Sequence, residues 1–290
     1  MCGCLLGPFV LSAAGTHWMR RRAVRWGFVD RPGGHKQHVH PTPLGGGVAI
    51  VAGLILPLLA VLIVAGLLRG VPPPPWVPAF VTVHLGGVAA KTPVVLAVIA
   101  GALVMHLLGL VDDVRPLSAG VKLPVQIVVV GVLVVGFGVR SMVHLGPVVA
   151  SVLTILWIVG VTNALNLMDN MDGLAGGVVC IAGGIFAAAA LRTGQIFVPA
   201  VTCMLVGAVA GFLVFNFPPA SIFMGDSGSL VVGYMLGVLT VLTTFVDPQY
   251  GPKPYGVLAP VLVLAVPIYD TLSVVWPVSY THLTLPTIYS

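Results

Sequence analysis

No glutamate occurs anywhere in the 290 residues; all eight acidic side chains are aspartates. Charged residues of either sign make up only 7% of the chain, against about 25% in an average soluble domain. With 58% hydrophobic residues and a mean hydropathy of +1.09, that scarcity excludes a soluble globular enzyme and points to a chain folded within a bilayer. The net charge of +5 is spread over loops, with no basic groove, so nucleic acid is not an expected partner. Four cysteines (Cys2, Cys4, Cys180, Cys203) form no metal-ligand pattern beyond a weak Cys-x-Cys, and two fall in apolar stretches, where buried free thiols are expected. There is no phosphate-binding Gly-x-x-x-x-Gly-Lys loop and no Gly-x-Ser-x-Gly nucleophile turn.

Long apolar runs are what the chain does have. Cys2–Met19 carries no Lys, Arg, Asp or Glu and is followed by Arg20-Arg21-Arg22 and Arg25. A signal peptide has its positive charge before the apolar run, so this order reads as a first membrane helix ending in the cytoplasm. Further spans are expected at Val48–Leu68, Pro93–Val111, Leu123–Val139, Pro147–Thr162, Ala175–Leu191, Ile196–Phe215, Leu230–Val246 and Tyr255–Val275. Val71–Ala90, with its proline run, reads as an extended loop or re-entrant segment, with a further helix as the alternative. The expected fold class is all-α: a polytopic integral membrane protein of about nine transmembrane helices, in one transmembrane domain over residues 1–277, with the active site on the cytoplasmic face.

Alternate crossing puts Arg20, Arg21, Arg22, Arg25, Arg31, Lys36, Arg115 and Lys122 on the inner side, eight of the thirteen basic residues. The same parity places Asp30, Asp112, Asp113, Asp169, Asp172 and Asp226 inside, with Asp270 near the inner end of the last span and Asp247 alone outside. Scattered loop residues would not cluster so. Carboxylates at a membrane boundary are costly unless a cation, a partner or water meets them.

Four stretches carry the chemistry. Asn163, Asn166, Asp169 and Asp172 recur every third residue between two apolar spans; the bland alternative is an Asx-rich turn. Asp112-Asp113 ends a span ahead of Arg115 and Lys122. Two adjacent carboxylates call for a cation, and Mg²⁺ is commonly held by one or two carboxylates plus phosphate oxygens. In Asn216–Ser229, prolines break the helix and Gly225 and Gly228 free the backbone around Asp226. Phe223 there suits stacking on a base, although packing in the bundle is its default role. The loop from Asp30 to Gly47 is rich in Gly and Pro and holds Lys36, His35, His38 and His40; it reads as an anion-contacting loop rather than a metal site. Together these features point to metal-assisted chemistry on a phosphate substrate.

At this point the chain resembles the polyprenyl-phosphate N-acetylhexosamine-1-phosphate transferase family. The likeness runs from Asp30 to about Thr271. It rests on Asp30, Pro32, Lys36, His38, Pro41, Pro43, Gly46 and Gly47; on Asp112-Asp113 and Lys122; on Asn163, Asn166, Asp169 and Asp172-Gly173; on Asn216, Pro219, Ala220 and Phe223 to Asp226; and on Pro267 with Asp270-Thr271. His35 stands where arginine is usual and Asn170 where glycine is common.

The resemblance implies transfer of N-acetylhexosamine-1-phosphate, GlcNAc-1-phosphate first, from a UDP-sugar to polyprenyl (undecaprenyl) phosphate. UMP is released, Mg²⁺ (or Mn²⁺) is required, and the step opens cell-envelope glycan synthesis at the bacterial cytoplasmic membrane. It implies Asp112, Asp113, Asp169 and Lys122 as catalytic residues and Lys36, His38, Asn166, Asp172, Asn216 and Phe223 as substrate-binding. Asp226 becomes the metal ligand with Asp112 as a second candidate. Asp172, Asn216 and Phe223 suit the uridine, and a homodimer is a candidate assembly. Whether an aspartate acts as a base stays open, since a phosphate nucleophile is already ionised near neutrality. Two other readings remain: phospho-N-acetylmuramoyl-pentapeptide transferase within the family, and a cation transporter from another class. The latter expects acidic groups near mid-span rather than at span ends. The tail from about Val278, with the isolated His282, departs from the family pattern and is expected to be truncated or non-native sequence over 278–290.

Overall fold

The computed structural model describes residues 1–30, 41–69, 79–243 and 255–284. Ten α-helices dominate. In chain order they are α1 (Cys2–Trp26), α2 (Gly46–Leu67), α3 (Ala79–Val114), α4 (Ala119–Gly131), α5 (Pro147–Met168), α6 (Leu174–Arg192), α7 (Phe197–Asn216), α8 (Asp226–Leu242), α9 (Tyr255–Val263) and α10 (Ala265–Thr284). A π-helical turn, Val132–Gly136, prolongs α4. Between α1 and α2 lies a two-residue antiparallel ladder, β1 (Val29–Asp30) with β2 (Thr42–Pro43), pairing Val29 with Pro43 and Asp30 with Thr42.

Six of these helical segments are long and apolar enough to cross a membrane, among the described residues. The chain is an all-α, multi-pass membrane protein. Each expected span falls on a helix, with three corrections of extent. The first helix does not stop at Met19; it runs on through the arginines to Trp26 and ends at Gly27, in the left-handed conformation that glycine adopts most readily. In the stretch read as a loop or re-entrant segment, the alternative of a helix holds for residues 79–90: they form the start of the 36-residue α3, because Ala, Val and Leu on both sides of Pro93 sustain one helix. The last expected span is divided at Leu264 into α9 and α10, between Pro260 and Pro267, where missing amide donors permit a kink.

The spine of the bundle is α8. Every residue from Ser227 to Thr240 is buried, as expected of a helix apolar on all sides. At 17 residues it is about 25 Å long, short for a free span but fully enclosed by protein. Its main neighbours are α3 and α5, with α2 alongside; α1 packs on α7 and α2, and α6 on α7.

Small residues let these helices approach. Gly207 and Gly211, one turn apart on α7, face the backbone of α1: a Cβ on Gly211 would collide with the Phe9 carbonyl and the Ala13 amide, and one on Gly207 with the Leu5 carbonyl. Gly233 and Gly237 repeat the spacing on α8 and meet α5 at Thr162 and Ile158. Helices in lipid associate largely through such close packing. Because backbone rather than a flexible side chain would have to move, Gly211→Ala is expected to lower unfolding stability in detergent by about 1–3 kcal/mol. Gly177→Ala on α6 meets nothing within 4 Å and should leave stability level or raise it by up to about 1 kcal/mol. Thermal melts of the two variants beside the parent check the contrast.

Candidate active site

The ends of α3 and α5 and the starts of α4 and α8 meet at one end of the bundle, and their polar side chains gather there because that is where each helix stops or starts. Asp112 and Asp113 are on the last turn of α3, Lys122 on the first turn of α4, Asn163 and Asn166 on the last turns of α5, and Asp169 immediately after it. Asp226 is not on a loop, as its flanking glycines suggested, but is the first residue of α8. Gly225 before it has φ 72°, and a Cβ there would lie 2.7 Å from the Asp113 carboxylate. Positive φ and close approach both call for glycine at this point.

Lys122 links two of the carboxylates. Its Nζ donates to Asp112 Oδ2 at 2.8 Å and to Asp226 Oδ2 at 3.1 Å. The other Asp112 oxygen accepts the Leu117 amide at 2.5 Å, which closes the short α3–α4 connection around the side chain. Asp113 faces away from Lys122 and caps α8: Oδ1 accepts the Asp226 amide at 2.7 Å and Oδ2 the Ser227 amide at 3.2 Å. These are two of the orphan donors at a helix start, and the positive end of the helix dipole favours the carboxylate further. The adjacent pair thus has two separate tasks.

Asn166 Nδ2 donates to Ser229 Oγ at 2.9 Å, and Ser229 Oγ in turn donates to the Gly225 carbonyl at 3.2 Å. Asn163 pairs with Gln126 of α4, its Nδ2 donating to Gln126 Oε1 at 2.5 Å. Asp169 is only partly exposed and densely surrounded. Burial first, and then the charges of Asp226 and Asp113, hold its carboxyl well above the usual carboxylate range. Among the described residues, Lys122 is ion-paired with two of the four aspartates, Asp112 and Asp226. That excess of negative charge suits a divalent cation with phosphate, although no cluster of three or more His, Cys, Asp or Glu among the described residues is arranged as a ready cage. Mg²⁺ fits such a donor set, because it takes few protein carboxylates and completes its shell with water and phosphate oxygens.

A second group lies along the α5–α6 and α7–α8 connections. Asn216 is buried, with both ends of its amide engaged: Oδ1 accepts the Gly173 amide at 3.0 Å and Nδ2 donates to the Ile222 carbonyl at 3.0 Å. Asp172 is exposed, and Oδ2 accepts the Ala220 amide at 2.9 Å. Asn216 and Asp172 together tie the two connections to each other. Phe223 is half-buried; its amide donates to the Pro43 carbonyl at 2.9 Å, while its carbonyl and that of Met224 receive the Gly46 and Gly47 amides at 3.0 and 2.9 Å. The start of α2 is thereby fastened beside the start of α8. Asp270 lies on α10, which packs against α5. Lys36 and His38 lie outside the described residues, as do His35 and His40.

Two participants were not singled out from sequence. Ser229 is the partner of Asn166, and His106 on α3 sends Nδ1 to the Ser227 carbonyl at 2.8 Å. A signal for His106 was present: His106, Gly109 and Asp113 are spaced i, i+3, i+7, one face of a helix.

The fold and site define a multi-pass α-helical membrane protein that gathers four aspartates, a lysine and asparagines at one end of its bundle. Comparison with known sequences gives the family. The model for glycosyl transferase family 4 matches residues 95–244, a stretch of 150 of the 290 residues that contains the whole aspartate cluster. The chain belongs to glycosyl transferase family 4. It is 33% identical over 265 residues to a probable undecaprenyl-phosphate N-acetylglucosaminyl 1-phosphate transferase of Bacillus subtilis (strain 168), covering 88% of this chain and 65% of that one. It is 34% identical over 290 residues to the decaprenyl-phosphate N-acetylglucosaminephosphotransferase of Mycolicibacterium smegmatis, covering 91% and 66%. A phospho-N-acetylmuramoyl-pentapeptide-transferase of Shouchella clausii is 32% identical over 244 residues, covering 77% and 68%. The chain spans about two thirds of the length of these relatives.

The crowding at Asp169 has a measurable consequence. A carboxyl whose folded value is raised contributes stability that is fully present below its unfolded value and is lost as pH rises through the folded one. Without divalent cations, parent protein should therefore lose stability on this account as pH rises, whereas Asp169→Asn should not. The difference in melting temperature in favour of Asp169→Asn should widen from acid to neutral pH in chelator, and melts at several pH values check it.

Proposed function

We propose that this chain transfers N-acetylglucosamine-1-phosphate from UDP-N-acetylglucosamine to a polyprenyl phosphate such as undecaprenyl phosphate, with Mg²⁺, at the bacterial inner membrane. The observation that carries the reading is the Asp112–Lys122–Asp226 linkage, with Asp169 and Asn166 beside it, inside the segment matched to the family. Relatives named for this transfer align over most of the chain.

In the reaction, an oxygen of the lipid phosphate attacks the sugar-proximal phosphorus of the UDP-sugar. A new P–O bond forms, the bond from that phosphorus to the bridging oxygen breaks, and the electron pair leaves with UMP. The lipid diphosphate sugar is the other product. Asp226, with Asp169 or Asp112, would hold Mg²⁺, which supplies charge neutralisation at the diphosphate when bound. Lys122 lies between Asp112 and Asp226 and offers its ammonium to a phosphate oxygen as that charge shifts. The hydrogen bonds at Asp112 and Asp113 engage both oxygens of each carboxylate, which favours orienting roles over a free base. A phosphate nucleophile, ionised near neutrality, asks for little more. Phe223, Asp172 and Asn216, on the adjoining connections, are placed to shape a uridine pocket, Asn216 by holding the loops.

The peptidoglycan reading differs only in the sugar. Its support is a 48% identical stretch of 88 residues with a phospho-N-acetylmuramoyl-pentapeptide-transferase of Lacticaseibacillus paracasei. Purified protein supplied with undecaprenyl phosphate and either UDP-N-acetylglucosamine or UDP-N-acetylmuramoyl-pentapeptide, with UMP release as the readout, separates the two. Release is expected with the first sugar, only in the presence of Mg²⁺ or Mn²⁺. Asp226→Asn should reduce transfer at least 100-fold while the protein still inserts and melts cooperatively. Near-parental turnover of that variant at saturating Mg²⁺ would remove Asp226 from the site.

A further inference from the structure

We infer that His106 is a positioning residue for the aspartate cluster: its hydrogen bond to the Ser227 carbonyl sets the orientation of the first turn of α8 and hence the aim of the Asp226 carboxylate. His106 is 8% exposed, and its Nδ1 lies 2.8 Å from that carbonyl oxygen. A carbonyl can only accept, so the ring carries its proton on Nδ1. One turn further along α3, Gly109 lies against the peptide joining Asp226 to Ser227, where a Cβ would collide with backbone. One more turn on, Asp113 accepts the amides of Asp226 and Ser227.

Residue Ser227 is thus held by α3 at both its donor and its acceptor, from two side chains of opposite polarity seven residues apart. Asp113 fixes two amides at this end of α8, and the His106 bond adds a third hydrogen bond from α3, to a carbonyl of the same turn. Asp226 is the residue immediately before Ser227, and its carboxylate accepts from Lys122, which Asp112 also holds. A displacement of about 1 Å at a reacting centre can cost on the order of 100-fold in rate.

The inference rests on the preceding reading in one respect, that the Asp226 carboxylate serves a divalent ion. The test compares parent, His106→Leu, His106→Asn and His106→Gln as purified full chains in micelles. Three quantities are measured: Mn²⁺ binding by electron paramagnetic resonance, UMP release with its kcat and KM, and melting temperature. Asparagine places its amide nitrogen near the position of Nδ1, whereas glutamine reaches toward that of Nε2. His106→Leu is expected to weaken Mn²⁺ binding and to lower kcat 10- to 100-fold, with KM for the UDP-sugar changed less than threefold. His106→Asn should recover both to within about threefold of parent, and His106→Gln should not. Should the leucine variant fail to fold, the Asn and Gln variants carry the test alone. The inference is overturned if asparagine is no better than glutamine, or if leucine keeps Mn²⁺ affinity and kcat within twofold of parent. Absence of both Mn²⁺ binding and transfer in the parent would instead overturn the functional reading, and this inference with it.

Discussion

The structure depends on keeping negative charge at the edge of an apolar bundle. Four aspartates, Asp112, Asp113, Asp169 and Asp226, meet where α3, α5 and α8 end or begin, and Lys122 is the cation bonded among them. In a chain with so few charges, each carboxylate must find donors or remain protonated. Asp112 finds Lys122 and a backbone amide, Asp113 finds the start of α8, and Asp226 shares the lysine. Burial, and then the charges of Asp226 and Asp113, push the Asp169 carboxyl upward. That residual charge is the feature on which the proposed binding of a divalent ion and a diphosphate rests.

That arrangement is only as precise as the placement of α8. The helix is enclosed on all sides, and its first turn is where Gly47 of α2, Gly109 of α3 and Gly225 remove the side-chain bulk that would hold the neighbouring backbones apart. The amides of Gly46 and Gly47, donating to the carbonyls of Phe223 and Met224, bind the approach to the helix from the other direction. Glycines along α7 and at Gly233 and Gly237 carry the same close packing away from the site. Rigid placement by backbone contact, rather than by long side chains, suits a site whose groups must hold position against their own repulsion.

Much of this was legible in the sequence because the bilayer enforces simple rules. Long apolar runs had to be helices, and alternate crossing alone brings Asp112, Asp113, Asp169 and Asp226 to one end. The boundaries were less legible. Arginines after Met19 and residues 79–90 looked like loop residues, yet helix continues at Arg20–Trp26 and covers 79–90, because intrahelical bonding does not require apolar side chains. The division of labour between Asp112 and Asp113 was also hidden, since adjacent residues on a helix point about 100° apart and their partners come from distant sequence. His106 and Ser229 escaped notice for the same reason: their partners are Ser227 and Asn166, 121 and 63 residues away.

The central claim is that this acidic end holds a divalent ion beside Asp226 for work on a diphosphate. Crystals of the protein grown with Mn²⁺ and UDP-N-acetylglucosamine test it most directly, through the anomalous signal of the metal. The account predicts a single strong peak within coordination distance of an Asp226 carboxylate oxygen and in contact with the diphosphate. A metal bound elsewhere, with Asp226 still occupied only by Lys122, would contradict it.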